Sequence, residues 1–426
     1  MTDIRLQCAR TIQKVLEDKI FFSELKKEFS EDDLPFANML ILTSLRYWVA
    51  LNKILSQYIH KKIPNKHRLA EYLIKMAIVE LLFMSTPAYA VINQTTQNVK
   101  QNCDKFLGGL ANAVLRKISQ QKEDILNQIN NINLLPASFL PLLSEYTKEE
   151  IREISESLKE VVPLDITVKD EITEWQKKFN AEILPNGTLR IFEASKIKNL
   201  PQYNEGKWWV QDVAAALPVA VCGNVRNKKV IDLCAAPGGK TAQLAAKGAI
   251  VTALDISEKR LEILKQNMHR LGFDNIDTLA IDAEEYMNRC NDKYNVVLLD
   301  APCSASGTFR RHPEVIHIKD MADVREACKI QRKLLDSCSL ITEKGSILIY
   351  SVCSICKEEG EKQINDFLAR RQEFKRIAIT PEDISLFGSW KQNFINSDGE
   401  IRTLPHYLKL RQGMDSFFIC KMQRII

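Results

Sequence analysis

Along residues 1–130, apolar side chains recur every three or four positions, and no stretch alternates as a strand would. Ile4, Cys8, Thr11/Ile12 and Val15/Leu16 mark one amphipathic face. The stretches 35–55, 69–84 and 94–118 continue that period, the last broken only by Gly108-Gly109. This spacing predicts an all-helical N-terminal domain. Residues 135–160 turn polar at Pro136, and Thr147-Lys148-Glu149-Glu150 predicts a linker helix with Thr147 as its N-cap. Two short β-like runs, 164–168 and 188–192, flank a helical patch at 171–180 and predict a small α+β subdomain.

From Lys229 the pattern changes to strands alternating with helices. Apolar runs at 230–233, 251–255, 278–282, 296–300 and 346–351 read as strands, with helices at 240–247, 258–271 and 324–340 between them. Residues 415–422 alternate like one more strand. Such alternation predicts a doubly wound, Rossmann-like α/β sheet. The expected division is a helical domain at 1–130, a linker and small subdomain at 131–205, and an α/β domain at 206–426.

Charge adds one feature to this picture. Residues 1–140 hold 18 Lys+Arg against 13 Asp+Glu, whereas residues 141–426 hold 41 of each, so the net charge of +5 is all N-terminal. The segment His60-Lys61-Lys62-Ile63-Pro64-Asn65-Lys66-His67-Arg68 concentrates it, either as a solvated loop or as a phosphate-contacting patch. The apolar stretches 69–84 and 213–225 are interrupted by Glu71, Lys75 and Glu80 and by Pro218 and Gly223, so no membrane association is expected. The start, Met1-Thr2-Asp3-Ile4-Arg5, does not read as a secretion signal, and a soluble cytoplasmic chain is expected. The eleven cysteines lack paired spacing, so disulfides are not expected. Cys8, Cys103, Cys222 and Cys338 read as small buried hydrophobes. Cys353 and Cys356 form a Cys-x-x-Cys with no second pair, so no metal site is expected.

The turn after the first α/β strand runs Cys234-Ala235-Ala236-Pro237-Gly238-Gly239-Lys240-Thr241. Small residues and glycines let backbone approach a ligand closely, and a helix starting near Lys240 offers free N–H groups to a carboxylate. Asp255, at the end of the second strand, suits ribose hydroxyls. Asp282, after the third, suits an adenine amino group. Neither Gly-x-Gly-x-x-Gly nor a complete P-loop is present. A nucleoside with a small zwitterionic end fits this set, which points to S-adenosylmethionine.

Two thiols occupy matched settings. Cys303 follows Leu298-Leu299-Asp300-Ala301-Pro302, and Cys353 follows Leu348-Ile349-Tyr350-Ser351-Val352. Each falls at the C-terminal end of an apolar run, the edge where open parallel sheets bind ligands. Thiols beside a methyl-donor loop point to covalent catalysis. Cytosine C5 is a poor nucleophile until a thiolate adds to C6, and the adduct must later be expelled, a task for a second thiol. Cations such as Lys240 or Arg310 would favour the thiolate.

These motifs resemble those of RNA 5-methylcytosine methyltransferases of the RsmB/Sun (Fmu) group. The segments concerned are Asp232 to Thr241, Asp300-Ala301-Pro302-Cys303-Ser304, Gly307 to Pro313, Tyr350-Ser351-Val352-Cys353-Ser354, Val210-Gln211-Asp212 and Leu404-Pro405-His406. Phe106 to Arg116 is similar to part of the NusB-like domain fused to the bacterial branch. The resemblance implies a class I methyltransferase domain acting on a cytosine C5 of 16S rRNA. By position, Cys353 resembles the nucleophile, Cys303 the adduct-release residue, and Asp300 a carboxylate near the methyl end and the target base. Cys234, Ala235, Ala236, Pro237, Gly238, Gly239, Lys240, Asp255, Asp282 and Asp300 resemble the cofactor-binding set. Arg310, Arg311 and His312, with Lys61 and Lys62, are candidate RNA contacts. A transfer RNA substrate, or an RNA-binding ribosome-assembly role, is the alternative. A monomer is expected, with 16S rRNA, free or in a pre-ribosomal particle, as partner. The chain departs from the family pattern at Val352 (usually Thr), at Lys357-Glu358-Glu359-Gly360 (usually Pro-Glu-Glu-Asn), at Ser416 (usually Gly) and at Asp165-Ile166-Thr167-Val168 (usually an Arg-Val-Asn run).

Overall fold

The structure is a computed structural model, and residues 3–193 and 197–426 are described. Met1 and Thr2 of the leading stretch lie outside the described residues. The chain divides into two compact units. One comprises residues through Lys159 together with Arg311–Asp320, and the other comprises Glu160–Arg310 with Met321–Ile426.

The first unit is helical, as its spacing predicts. Helices Ile4–Glu17, Leu34–Tyr58, Arg68–Phe83, Ala88–Asn102 and Lys105–Gln120 form its body. Helix Arg68–Phe83 is buried along most of its length and packs against its neighbours on several sides. Thr147 caps helix Lys148–Ser157 and forms a complete capping box with Glu150. By length and composition, helix Leu34–Tyr58 could cross a membrane. Here, however, Leu40, Ile41, Leu45, Leu51 and Ile54 are buried within the helical unit. The segment Arg311–Asp320 belongs to this unit through buried Val315, Ile316 and Ile318. The ring of His317 contacts the Leu45 carbonyl at 2.7 Å.

The second unit begins with a four-stranded antiparallel sheet: β1 (Leu164–Val168), β2 (Glu182–Ile183), β3 (Leu189–Ile191) and β4 (Trp208–Val210), in the order β2-β3-β1-β4. Its core stacks Trp175 on Phe179, with Trp208 edge-on. Asp165, where the family pattern differs, is fully buried in a two-bond ion pair with Arg190 at 2.7 and 2.8 Å and also accepts from the Val213 N–H. Removing either partner would leave a lone buried charge, at a cost of about 3–5 kcal/mol.

The main sheet carries β5 (Lys229–Leu233), β6 (Ile250–Asp255), β7 (Ile276–Ala280), β8 (Tyr294–Asp300), β9 (Thr342–Val352), β10 (Phe374–Arg376), β11 (Ile401–Arg402) and β12 (Phe418–Arg424). The order is β10-β12-β9-β8-β5-β6-β7, with β11 on β12. Strands β5 to β9 run parallel, whereas β12 lies antiparallel to β9 and β10 antiparallel to β12. The fully parallel sheet expected from alternation is therefore mixed at one edge.

Two boundaries also move. The third parallel strand ends at Ala280, so Asp282 is the N-cap of helix Ala283–Arg289 rather than a strand end. The last strand starts at Phe418 because Ser416 and Phe417 are engaged before it. The Ser416 N–H donates to the Gly307 carbonyl, and the Phe417 carbonyl accepts from the Thr403 N–H.

Candidate active site

The two thiols are brought together by strand register. In the parallel pair β8 and β9, Asp300 lies opposite Ser351, and the Ala301 N–H donates to the Ser351 carbonyl. The chain leaving β8 then turns back to β9, where the Gly307 N–H donates to the Cys353 carbonyl at 3.0 Å. A Cβ at Gly307 would collide with the Ser416 carbonyl oxygen, so this approach requires glycine. As a result, the Cys303 and Cys353 sulfurs lie 3.4 Å apart.

Their electrostatic settings differ. The Cys303 thiol is pushed well above its ordinary range, chiefly by its hydrogen bond to Cys353, then by burial, the Cys353 charge and Glu359. Lys240 interacts electrostatically with Cys353. Burial works against its ammonium, but Asp300, followed by Asp232 and Cys353, outweighs burial and raises its pKa. Lys240 Nζ donates to Asp300 Oδ2 at 2.7 Å, and Ser351 Oγ donates to Asp300 Oδ1 at 2.7 Å. Asp300 is thus held on both oxygens. The pair therefore sits between the buried Cys303 thiol, held high, and an ammonium fixed by Asp300.

The loop Cys234–Lys240 sits between β5 and β6. Cys234 adopts φ 61° in the left-handed region, and burial raises its thiol pKa to about 12. Asp255 is buried, accepting from the Ala236 N–H at 3.2 Å and the Ser257 N–H at 2.9 Å. Asn267 Nδ2 donates to the Pro237 carbonyl, and Arg260 donates to that of Ala236. Helix Gly239–Ala246 opens on this loop. Among the described residues no acceptor meets the N–H groups of Gly239, Lys240 and Thr241. Asp282 uses Oδ1 to cap its helix through the Glu285 N–H, and among the described residues its other oxygen carries no such bond. Three open N–H groups, Asp255 beside the loop and a half-used carboxylate match the carboxylate, ribose and adenine ends expected of S-adenosylmethionine.

The remaining candidates separate. Arg310 is fully buried, donates to the Gln412 carbonyl and lies 3.9 Å from Asp415, so it is removed from the candidate RNA contacts. The run Arg310-Arg311-His312 looks like a basic patch, but its first member points inward. Arg311 and His312 belong to the helical unit, where His312 is exposed 3.6 Å from Glu314. Lys61 and Lys62 are exposed in the same unit. Cys356 is buried and donates to Glu358 at 2.8 Å, and no group of metal-ligating residues forms among the described residues.

Sequence reasoning missed Glu359, which is fully buried and accepts hydrogen bonds from the serines that follow both thiols. The repeated Cys-Ser dipeptide was the available signal. The departure at Gly360 also gains a reason: a Cβ there would meet the Arg402 guanidinium and lie 2.7 Å from the Phe418 ring.

Residues 220–423 match the family described as 16S rRNA methyltransferase RsmB/F, and residues 2–120 match the NusB family. The chain is 30% identical to ribosomal RNA small subunit methyltransferase B of Proteus mirabilis, covering 87% of this chain and 92% of that protein. The chain belongs to the RsmB/F family of rRNA methyltransferases. A second RsmB-type relative, from Erwinia tasmaniensis, is 28% identical over 91% of this chain and 95% of its own. The crystal structure of PH0851 shares the fold at TM-score 0.73 and 22% identity, covering 99% of both chains. The structure of NSun6 from Pyrococcus horikoshii shares it at TM-score 0.56 and 19% identity, over 68% of this chain and 98% of that one. Members of the RsmB/F family are S-adenosylmethionine-dependent methyltransferases, and the open N–H groups and carboxylates of this loop fit that cofactor.

Proposed function

We propose that this chain methylates C5 of a cytosine in 16S rRNA, with Cys353 adding to C6. The Cys234–Lys240 loop with Asp255 and Asp282 would hold S-adenosylmethionine, which would supply an electrophilic methyl group and keep the electron pair of the broken S–CH₃ bond. Cys353 forms the S–C6 bond, and the electron pair of the C5–C6 double bond becomes available at C5. Lys240 and the Cys303 S–H favour the Cys353 thiolate before attack. Once C5 carries the methyl group, its proton leaves to a base. The C5–C6 double bond re-forms, and the S–C6 electron pair returns to Cys353. Cys303 donates its S–H to the departing sulfur and so eases release. A base in a stem must be extruded to reach such a site. Exposed Lys61, Lys62 and His312 remain the proposed RNA contacts.

The observation that carries this reading is the 3.4 Å approach of two sulfurs in unequal electrostatic settings. The test is incubation of the chain with methyl-labelled S-adenosylmethionine and 16S rRNA, free or within the small subunit, or with transfer RNA. Label recovered as 5-methylcytidine from 16S rRNA supports the proposal. Label confined to transfer RNA overturns the substrate, and label at any other atom overturns the chemistry.

A further inference from the structure

The serine that follows each thiol points at the same buried carboxylate. Ser304 Oγ donates to Glu359 Oε2 at 2.5 Å, and Ser354 Oγ donates to that same oxygen. Glu359 Oε1 accepts from the Ser304 N–H at 2.8 Å and from Gln331 Nε2 at 3.0 Å. Gln331 also donates to the Pro302 carbonyl, the residue just before Cys303. Ser306 closes the network, 2.9 Å from Ser304 Oγ and 3.0 Å from Ser354 Oγ, while accepting from the Ile355 N–H. The Glu359 backbone is fixed in turn, because Tyr350 donates its hydroxyl to the Glu359 carbonyl at 2.7 Å.

Glu359 is fully buried and forms no ion pair among the described residues. A lone buried carboxylate is costly unless donors surround it. Here four donors converge on it, three of them from the two Cys-Ser dipeptides. We propose that Glu359 is a positioning residue that sets the distance between Cys303 and Cys353 by drawing Ser304 and Ser354 onto one carboxylate. The Cys-Ser dipeptide therefore occurs twice because each thiol-bearing loop needs its own tether to that carboxylate. The arrangement has an electrostatic consequence as well: the Glu359 charge adds to the rise in the Cys303 pKa.

The kinetic part of this inference rests on the proposed reaction. Its geometric part does not, so the two can fail separately. The probe is dibromobimane, a reagent that bridges two thiols a few ångström apart, with Cys303–Cys353 bridging mapped by peptide mass spectrometry. Glu359→Gln keeps one acceptor oxygen in place of two, so its N–H₂ must face either the Ser304 N–H and Gln331 donors or the two serine hydroxyls, and the four present bonds cannot all be kept. Bridging is expected to slow by about tenfold or more. Methyl-transfer kcat is expected to fall about 100-fold, with both KM values within about threefold. Bridging and kcat within about twofold of the unsubstituted chain, in a folded protein, overturn the proposal. A loss seen only in KM also overturns it. If Glu359→Gln fails to fold, the Ser304→Ala/Ser354→Ala double variant decides, because it removes both hydroxyl tethers and keeps the carboxylate. Unchanged bridging there overturns the proposal, and slowed bridging supports it. Normal methylation with slowed bridging would separate the positioning role from the reaction and overturn its kinetic part.

Discussion

The loop that follows β8 and the loop that follows β9 look alike in sequence and differ in what surrounds their thiols. Both place a Cys-Ser dipeptide just beyond a strand end, and both serines reach Glu359. Cys303, however, lies close enough to Glu359 for its charge to raise the thiol pKa, and its sulfur lies 3.4 Å from the other. Cys353 interacts instead with the Lys240 ammonium, itself fixed by Asp300. Under the proposed reaction, equal chemistry in unequal fields would give the two thiols different roles, as when paired carboxylates are driven apart in acidity by their settings. The proposed assignment rests not on the cysteine motif but on the Glu359 carboxylate acting on Cys303 and the Lys240 ammonium acting with Cys353.

The largest effect that could break this comparison comes from Cys353→Ala. Loss of the proposed nucleophile would leave C5 unactivated, and kcat should drop by roughly 10⁴-fold or more, beyond detection in a label-incorporation assay. Retained methylation would mean that Cys303 or another group attacks C6. Lys240→Met comes next. It removes the cation beside the thiol pair and frees Asp300, and kcat/KM at neutral pH should fall on the order of tenfold to 100-fold. The acidic limb of the pH–rate profile, which reports the first proton lost from the pair, should move to higher pH. An unmoved limb would separate Lys240 from thiolate formation.

The smallest effect concerns Asp232, which lies under the site. Burial pushes its carboxyl up to about 7 from an ordinary 3.8, even though Thr241 donates to it and lowers it. The native state therefore binds more protons than the unfolded chain between these values, and stability falls as pH rises through that window. Asp232→Asn should flatten the decline in Tm between about pH 4 and pH 7, a difference of a few °C by thermal melting. A parallel decline in the variant would show that another group is responsible.

Much of the catalytic region was legible because β8 and β9 are apolar runs that end where the thiols begin. The cofactor loop was legible because its glycines and small residues have few other uses. Glu359 was not. Its four hydrogen bonds reach back to residues 304, 331 and 354, and locally it looks like one more acid in a polar turn. Arg310 was misread for the converse reason: its partners Gln412 and Asp415 lie about a hundred residues away. The direction of β12 was also hidden, since alternation marks a strand but not whether it runs parallel or antiparallel. Residues 311–320 could not be assigned from pattern either, because their burial comes from the helical unit rather than from the strands on either side of them in sequence.

Trapping the covalent complex tests the unequal roles most directly. Cys303→Ala, Cys353→Ala and the unsubstituted chain are each incubated with 16S rRNA and S-adenosylmethionine, then separated by denaturing electrophoresis and mapped by mass spectrometry. Cys303→Ala should accumulate RNA bonded through Cys353, because release loses its S–H donor, while Cys353→Ala forms no adduct. An adduct through Cys303 in the Cys353→Ala protein, or none in Cys303→Ala, would contradict the assignment.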